Sequence, residues 1–227
     1  MNKLLLPILI ILSLPLVFQS TPTEILKLKI FDAFVTTQEP SGNFVILNIT
    51  EEDVAREGGW PLPRRRLAQI QVDLINEGAI GIGWVMSFPQ PDRMGGDKVF
   101  AKTLKYIPSV LSVFESENGQ YPKTTGTVIL GNDVQGFISP GVVENIPPLI
   151  ESATQGISTA PVDVDQLVRR IPLLVKTPDG YASSFGTEVL KTLTGAKTYI
   201  IKTNDNGIEE ISVKGIPPVK VDSLGRK

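Results

Sequence analysis

Apolar and polar positions along this chain fall into two alternating rhythms. The run Phe44-Val45-Ile46-Leu47-Asn48-Ile49 is rich in β-branched side chains and predicts a strand. An acidic turn, Glu51-Glu52-Asp53, and the stretch Gly58-Gly59-Trp60-Pro61-Leu62-Pro63-Arg64 follow. Beyond Pro63, Leu67, Ile70, Leu74 and Ile75 recur at helical spacing, and Ile80-Gly81-Ile82-Gly83-Trp84-Val85 reads as a second strand. Strand, helix and strand in about 45 residues predict a βαβ unit of a parallel sheet with a right-handed crossover.

The later pattern extends that sheet. Pro89 to Asp97 is a loop by its Pro and Gly content, Lys98 to Lys105 a short helix, and Ser109 to Phe114 a strand. Residues 115–146 predict an irregular excursion with short strands. Pro147 to Ala153 reads as a short helix opened by proline, Gly156 to Ala160 as an edge strand, and Ile171 to Val175 as another strand. Ser183 to Leu193 predicts a helix stopped by Gly195. Thr198 to Lys202 and Ile208 to Val213, joined by Asn204-Asp205-Asn206-Gly207, predict a hairpin with an Asn-Gly turn. The fold class expected is therefore α/β: a mixed, mainly parallel sheet with packed helices, a C-terminal β-hairpin and an N-terminal membrane helix.

That last element rests on the uncharged run from Leu4 to Phe18 behind Lys3. It suits either a signal peptide or an uncleaved anchor. The sequence around Phe18-Gln19-Ser20 lacks the small residues of a cleavage site, which favours the anchor. Residues 1–22 are assigned to this segment, 23–42 to a juxtamembrane helix (Glu24 to Phe34) and linker, and 43–227 to the exported domain. The last residues carry no closing apolar segment, so the domain is expected to continue into a longer polypeptide.

Composition narrows the chemistry. The 227 residues are 41% hydrophobic and 20% charged, with a formal net charge of −2. Lys and Arg are scattered, so nucleic acid is not an expected partner. The chain has neither His nor Cys, which removes thiol nucleophiles, the usual zinc sites and imidazole acid–base catalysis. There is no P-loop, and Ser183 and Ser184 lack a Gly-x-Ser-x-Gly setting. No cofactor or metal is implied, and no catalytic constellation assembles.

Three polar clusters are candidates for binding. Arg64-Arg65-Arg66 opens a helix, where the dipole disfavours cations by some tenths of a kcal/mol. Their counter-charge is either the Glu51-Glu52-Asp53 turn or an anionic ligand at the helix N-terminus. Asp163-Val164-Asp165 with Arg169-Arg170 has a D-x-D spacing that suits a hard cation or a turn held by Asp–Arg pairs. Val168 and Leu174 stand where a calcium loop would need Gly and Glu. Asp92, Asp97 and Asp133 lie in loops that could face one end of the sheet. Trp60, Pro61 and Pro63 form a packing motif, with Trp60 expected as its anchor.

These stations, in this order, resemble the CHASE2 sensor domain of bacterial transmembrane receptors. The resemblance covers roughly residues 24–226. It is carried by Phe31-Asp32, by Val45 to Glu51, and by Gly59-Trp60-Pro61-Leu62-Pro63-Arg64 with Ala68. It continues through Gly78 to Asp92, Asp163 to Leu173, and Pro218 to Arg226. The chain departs from the family pattern at three places: Thr50 and Val85 stand where the family has Asp, and Gln166 stands for a Gly. The resemblance implies an input domain on the extracytoplasmic (periplasmic) side of the cytoplasmic membrane. Its partners would be an unidentified small-molecule or envelope ligand, the membrane, and a cytoplasmic effector absent from this sequence. That effector would be a nucleotide cyclase, a histidine kinase or a serine/threonine kinase, with a homodimer among the options. This portion is then non-catalytic. Two other readings stay open: an exported metal-dependent hydrolase or solute-binding domain using the loop carboxylates, and a purely structural envelope domain.

Overall fold

Five consecutive buried residues, Ser109 to Val113, run through one strand of the computed structural model, which describes residues 21–35, 39 and 41–227. The chain divides into two units, Met1–Asn48 with Pro161–Arg169, and Ile49–Ala160 with Arg170–Lys227.

In the first unit, helix α1 (Thr21–Phe34) buries only Leu28. It contains the helix expected over Glu24 to Phe34. Most of the anchor assigned to residues 1–22 lies outside the described residues. No helix among the described residues is long and apolar enough to cross a membrane. Residues 44–48 join no sheet, and Val45 and Ile46 are 83% and 85% exposed. The strand expected at Phe44–Ile49 is thus corrected: periodicity identified a strand-like run but could not supply its partner.

The second unit begins with a capped turn. Thr50 Oγ1 accepts from the Asp53 N–H while the Asp53 carboxylate accepts from Thr50, so Glu51–Arg56 forms a short helix, α2. Thr50 therefore keeps the N-cap role that Asp would fill. Helix α3 (Arg64–Asn76) follows, then the short strand β1 (Ile82–Trp84), helix α4 (Asp97–Leu104) and strand β2 (Ser109–Gln120). β1 runs parallel to β2, with Gly83 opposite Val110. A βαβ unit is thus built from β1, α4 and β2, in place of the one expected over residues 44–85, whose first strand joins no sheet.

The excursion between 121 and 146 supplies β3 (Gly126–Leu130) and β4 (Val142–Val143), and a single turn, α5 (Pro147–Ile150), leads to β5 (Thr154–Ser158). β5 runs parallel to β2, and β4 runs antiparallel to it. A hairpin of β6 (Leu174–Thr177) and β7 (Gly180–Ser183) precedes helix α6 (Phe185–Thr194), which Gly195 ends in the left-handed conformation at φ 64°. α6 lies close over the first sheet. A Cβ on Gly83 would stand 2.8 Å from the Phe185 ring, and one on Gly156 would meet the Phe185 backbone. Gly81 and Gly83 thus serve close packing.

The second sheet has the order β10-β9-β8-β3, from β8 (Thr198–Asn204), β9 (Gly207–Val213) and β10 (Ile216–Lys220). β8 alternates buried and exposed, sending Tyr199, Ile201 and Thr203 inward, as a strand with one covered face should. The hairpin forms as expected, but its two central residues are Asp205-Asn206, and Gly207 re-enters the ladder at φ 127°. The fold is mixed α/β, with one largely parallel and one mixed sheet.

The main core gathers Leu67, Trp84, Phe88, Phe100, Leu111 and Leu149. Phe100 receives Trp84 and Phe88 edge-on, at centroid distances of 5.4 and 5.5 Å. Full burial of each such ring is worth about 2–3 kcal/mol. The stripe of α3 that is fully buried is Arg64, Leu67, Ala68 and Gln71, rotated from the expected one; Ile70, Leu74 and Ile75 are half-buried.

Candidate functional site

Two polar constellations take up most of the residues singled out by sequence. The first lies in the first unit. Residues 161–169 fold into a tight turn in which the Asp163 N–H donates to Leu167 O and the Gln166 N–H to Asp163 O. Gln166 takes φ 65°, the left-handed region in which a Gly would be unstrained. The turn delivers Arg169, whose side chain is 5% exposed, into a ring of carboxylates. Nη1 and Nη2 donate to Asp165 at 2.8 and 2.7 Å, and Nη1 also reaches Asp163 at 3.1 Å. Nε and Nη2 donate to the two oxygens of Asp32 on α1, at 2.7 and 2.8 Å.

One guanidinium therefore meets three carboxylates, and the charge-assisted bonds set their titration. Hydrogen bonding from Arg169 holds Asp165 down to about 2 and also lowers Asp32. The same bonds raise Arg169 further above its ordinary value, so it stays charged at any accessible pH. The D-x-D carboxylates thus face a cation supplied by the chain itself. Among the described residues, no group of three or more acidic side chains is placed to hold a metal ion. Arg170, next in the chain, is half-buried and belongs to the second unit.

The second constellation surrounds Arg64. Its backbone N–H donates to Asp92 Oδ2 at 3.1 Å, and Asp92 also accepts from the N–H groups of Met94 and Gly96. The Asp92 N–H donates in turn to Asp97 Oδ2 at 2.8 Å. Arg64 Nε lies 3.6 Å from Asp97 Oδ1, both side chains being largely buried, and neither atom makes a direct hydrogen bond. The guanidinium stacks on Phe88, 4.3 Å from the ring centroid. Burial lowers the Arg64 pKa, with Asp97 and Asp92 opposing. The backbone bonds to Met94, Gly96 and Arg64 hold Asp92 below the ordinary carboxylate range despite burial.

This corrects the expected pairing of the arginines with Glu51-Glu52-Asp53. Arg64 finds its counter-charge in Asp97 at the start of α4, Arg66 pairs with Glu57 at 2.7 Å, and Arg65 is exposed. Asp53 is taken up by its own helix, bonding Thr50 and Arg56, and Glu51 is exposed in the first turn of α2. Asp92 and Asp97 do come together, whereas Asp133 pairs with Lys176 at 2.7 Å.

A shallow depression lies beside Arg64, lined by Trp60, Pro61, Leu62, Met86, Ser87 and Phe88. Trp60 is 60% exposed, so it is not the packing anchor expected; that role belongs to Leu62, which is buried. Pro61 follows a cis peptide bond and is exposed, and Pro63 is the half-buried N-cap residue of α3.

Sequence reasoning missed a buried polar frame. Gln71 Oε1 accepts from Trp84 Nε1 at 2.8 Å, and its Nε2 donates to Ser109 Oγ at 3.0 Å. Asn145 accepts from the Phe88 N–H and donates to Ser112 O and to Gln155. Only a polar residue on the apolar stripe of α3 could have signalled it.

Among protein-family models, the one described as the CHASE2 domain matches residues 7–224. No curated protein and no solved structure matches the chain.

Proposed function

Because the chain belongs to the CHASE2 domain family, whose members are extracellular sensory domains of signalling receptors, we propose that residues 43–227 are the input domain of a membrane receptor. Residues 1–22 anchor it and 23–42 join the two. A ligand or envelope signal biases two arrangements of the domain, and α1 passes the difference to a cytoplasmic effector, a cyclase or a kinase. The observation that carries this reading is the fork from Arg169 to Asp32, which fastens α1 to the turn of residues 161–169. A helix held at one point by a buried guanidinium is suited to follow that point when it moves. The Arg64 group, with Asp92, Asp97 and the neighbouring depression, is where the domain would meet an anionic ligand.

The test begins with the reading frame beyond Lys227, from which the receptor and its effector are assembled. Effector output is then compared for the unaltered receptor, Arg169→Ala and Asp32→Ala at equal surface abundance. Altered basal or stimulated output in both variants supports the relay. Unaltered output in both, or a frame encoding no effector, overturns it.

A further inference from the structure

The outward face of α4 carries cations without counter-charges. At the helical spacing, Lys98, Lys102 and the C-cap residue Lys105 share one arc, turned away from the buried Phe100 and Leu104. All three are exposed, as is Arg93 in the turn that leads into the helix. Among the described residues, none of these four side chains makes an ion pair or a hydrogen bond. Asp97, the one carboxylate on α4, is taken up by Arg64 and the Asp92 N–H. The exposed acids of the helices packed against α4, Asp73 and Glu77 at the end of α3 and Glu151 after α5, pair with none of the four. Like charges at i,i+4 (Lys98, Lys102) and i,i+3 (Lys102, Lys105) repel, and Lys98 sits in the first turn, where the helix dipole disfavours a cation. An anion from outside would offset both.

The same arc runs on into apolar positions. Val99 and Tyr106 are 41% and 53% exposed, and Met94, beside Arg93, is 65% exposed. Basic side chains bordered by exposed apolar ones, with a tyrosine at the margin, suit the level at which phosphate headgroups meet acyl chains. A soluble polyanion would satisfy the lysines and leave Val99, Tyr106 and Met94 in water.

We propose that this face of α4 docks on an anionic phospholipid surface, with Arg93, Lys98, Lys102 and Lys105 on the headgroup phosphates and the apolar side chains at the acyl boundary. Charge complementarity and the apolar border select that occupant, and the family's place in signalling receptors is consistent with it. The contact goes beyond the relay: it needs neither α1 nor an effector, and either can fail without the other.

The chain has no cysteine, so single thiols report position. The full chain, carrying Val99→Cys or Lys214→Cys on the β9–β10 turn, is labelled with a membrane-impermeant fluorophore. It is reconstituted in vesicles of phosphatidylcholine alone, or of equal parts phosphatidylcholine and phosphatidylglycerol, each doped with a nitroxide-headgroup lipid. Quenching at Val99→Cys should be severalfold stronger in the anionic vesicles and fall back as salt is raised. It should also fall back when Lys98→Glu, Lys102→Glu and Lys105→Glu are combined. Lys214→Cys should respond equally in the two kinds of vesicle. The three lysines are exposed, so the combined variant should melt with the unaltered chain, and the salt series tests the contact without any substitution. Equal quenching at Val99→Cys in both kinds of vesicle, an equal gain at Lys214→Cys, or quenching indifferent to salt would each overturn the proposal. Shielding of the Val99→Cys label by soluble polyglutamate with no gain in anionic vesicles would also overturn it, and would assign the face to an acidic protein.

Discussion

Arg169 grips Asp32 across 137 positions of sequence with two nearly parallel hydrogen bonds, 2.7 Å from Nε and 2.8 Å from Nη2. The fork is specific to a planar guanidinium: Lys would keep the charge and lose the geometry. Arg169→Lys should therefore lower the melting temperature nearly as much as Arg169→Gln. Asp32→Asn should cost less in the Arg169→Gln background than alone. A double-mutant cycle by thermal melting reads this coupling, and strict additivity would refute the pairing.

The same cluster sets a pH limit. A carboxyl whose folded pKa is depressed contributes stability that is fully present above its unfolded value and is lost as pH falls through the folded one. For Asp165 that window runs from 3.8 down to about 2, and Asp32 shifts in the same direction. Melting temperature should hold level toward neutral pH and fall across that window. Arg169→Gln should be less stable at neutral pH and lose less on acidification; parallel acid limbs for the two proteins would contradict the cluster's role.

Gln166 holds its backbone at φ 65° without the freedom of glycine. Gln166→Gly should raise stability by roughly 0.5–1 kcal/mol, relief of the left-handed cost outweighing the added chain entropy. Gln166→Val should lower it. Urea denaturation midpoints give both signs, and a destabilised Gln166→Gly would show that the Gln side chain holds the turn.

Gln71 and Trp84 make a further pair to break. Gln71→Leu keeps the volume but leaves Trp84 Nε1 and the Ser109 hydroxyl without Gln71 in the core, at a cost of about 1–3 kcal/mol. The exposed Trp60 is the control: Trp60→Ala should stay within about 0.5 kcal/mol. Denaturation monitored by far-UV circular dichroism separates the two, and equal losses would contradict the burial difference of 6% against 60% exposure.

Arg64 and Asp97 test the buried charge. Asp97→Ala strands a largely buried guanidinium that retains only Asp92 nearby, and should cost on the order of 3 kcal/mol. Arg64→Met keeps the apolar contact with Phe88 and removes the desolvated charge, so it should cost clearly less. The order of the two denaturation midpoints is the check.

Much of the architecture was legible because local rules governed it. Gly195 stops α6, the hairpin of β8 and β9 forms, and Val110, Leu111 and Val113 make the strand at Ser109–Val113, which is buried on both faces. What was not legible depended on partners far away in sequence. Phe44–Ile49 has the pattern of a strand, but a pattern does not name the edge it joins. Arg64 sits on a helix whose spacing predicted Leu67, Ile70, Leu74 and Ile75 inward. Its burial became affordable only through Asp92, Asp97 and the face of Phe88, none of which α3 contains. The D-x-D turn announced an arginine partner within its own segment, and Asp32 could not be read from spacing at all.

Ile171 and Lys227 exchange backbone hydrogen bonds in both directions, at 2.8 and 2.9 Å, and the Leu173 N–H donates to Gly225 O at 3.0 Å. Asp222 braces this strap by accepting from the Arg226 N–H and side chain. Mechanically, these bonds lie in series along the chain. Tension applied at Lys227 would peel them open one after another, starting with the outermost, before any load reached β10. The strap is therefore a weak link with a fixed order of failure, a fuse that yields to traction while the sheet behind it keeps its register.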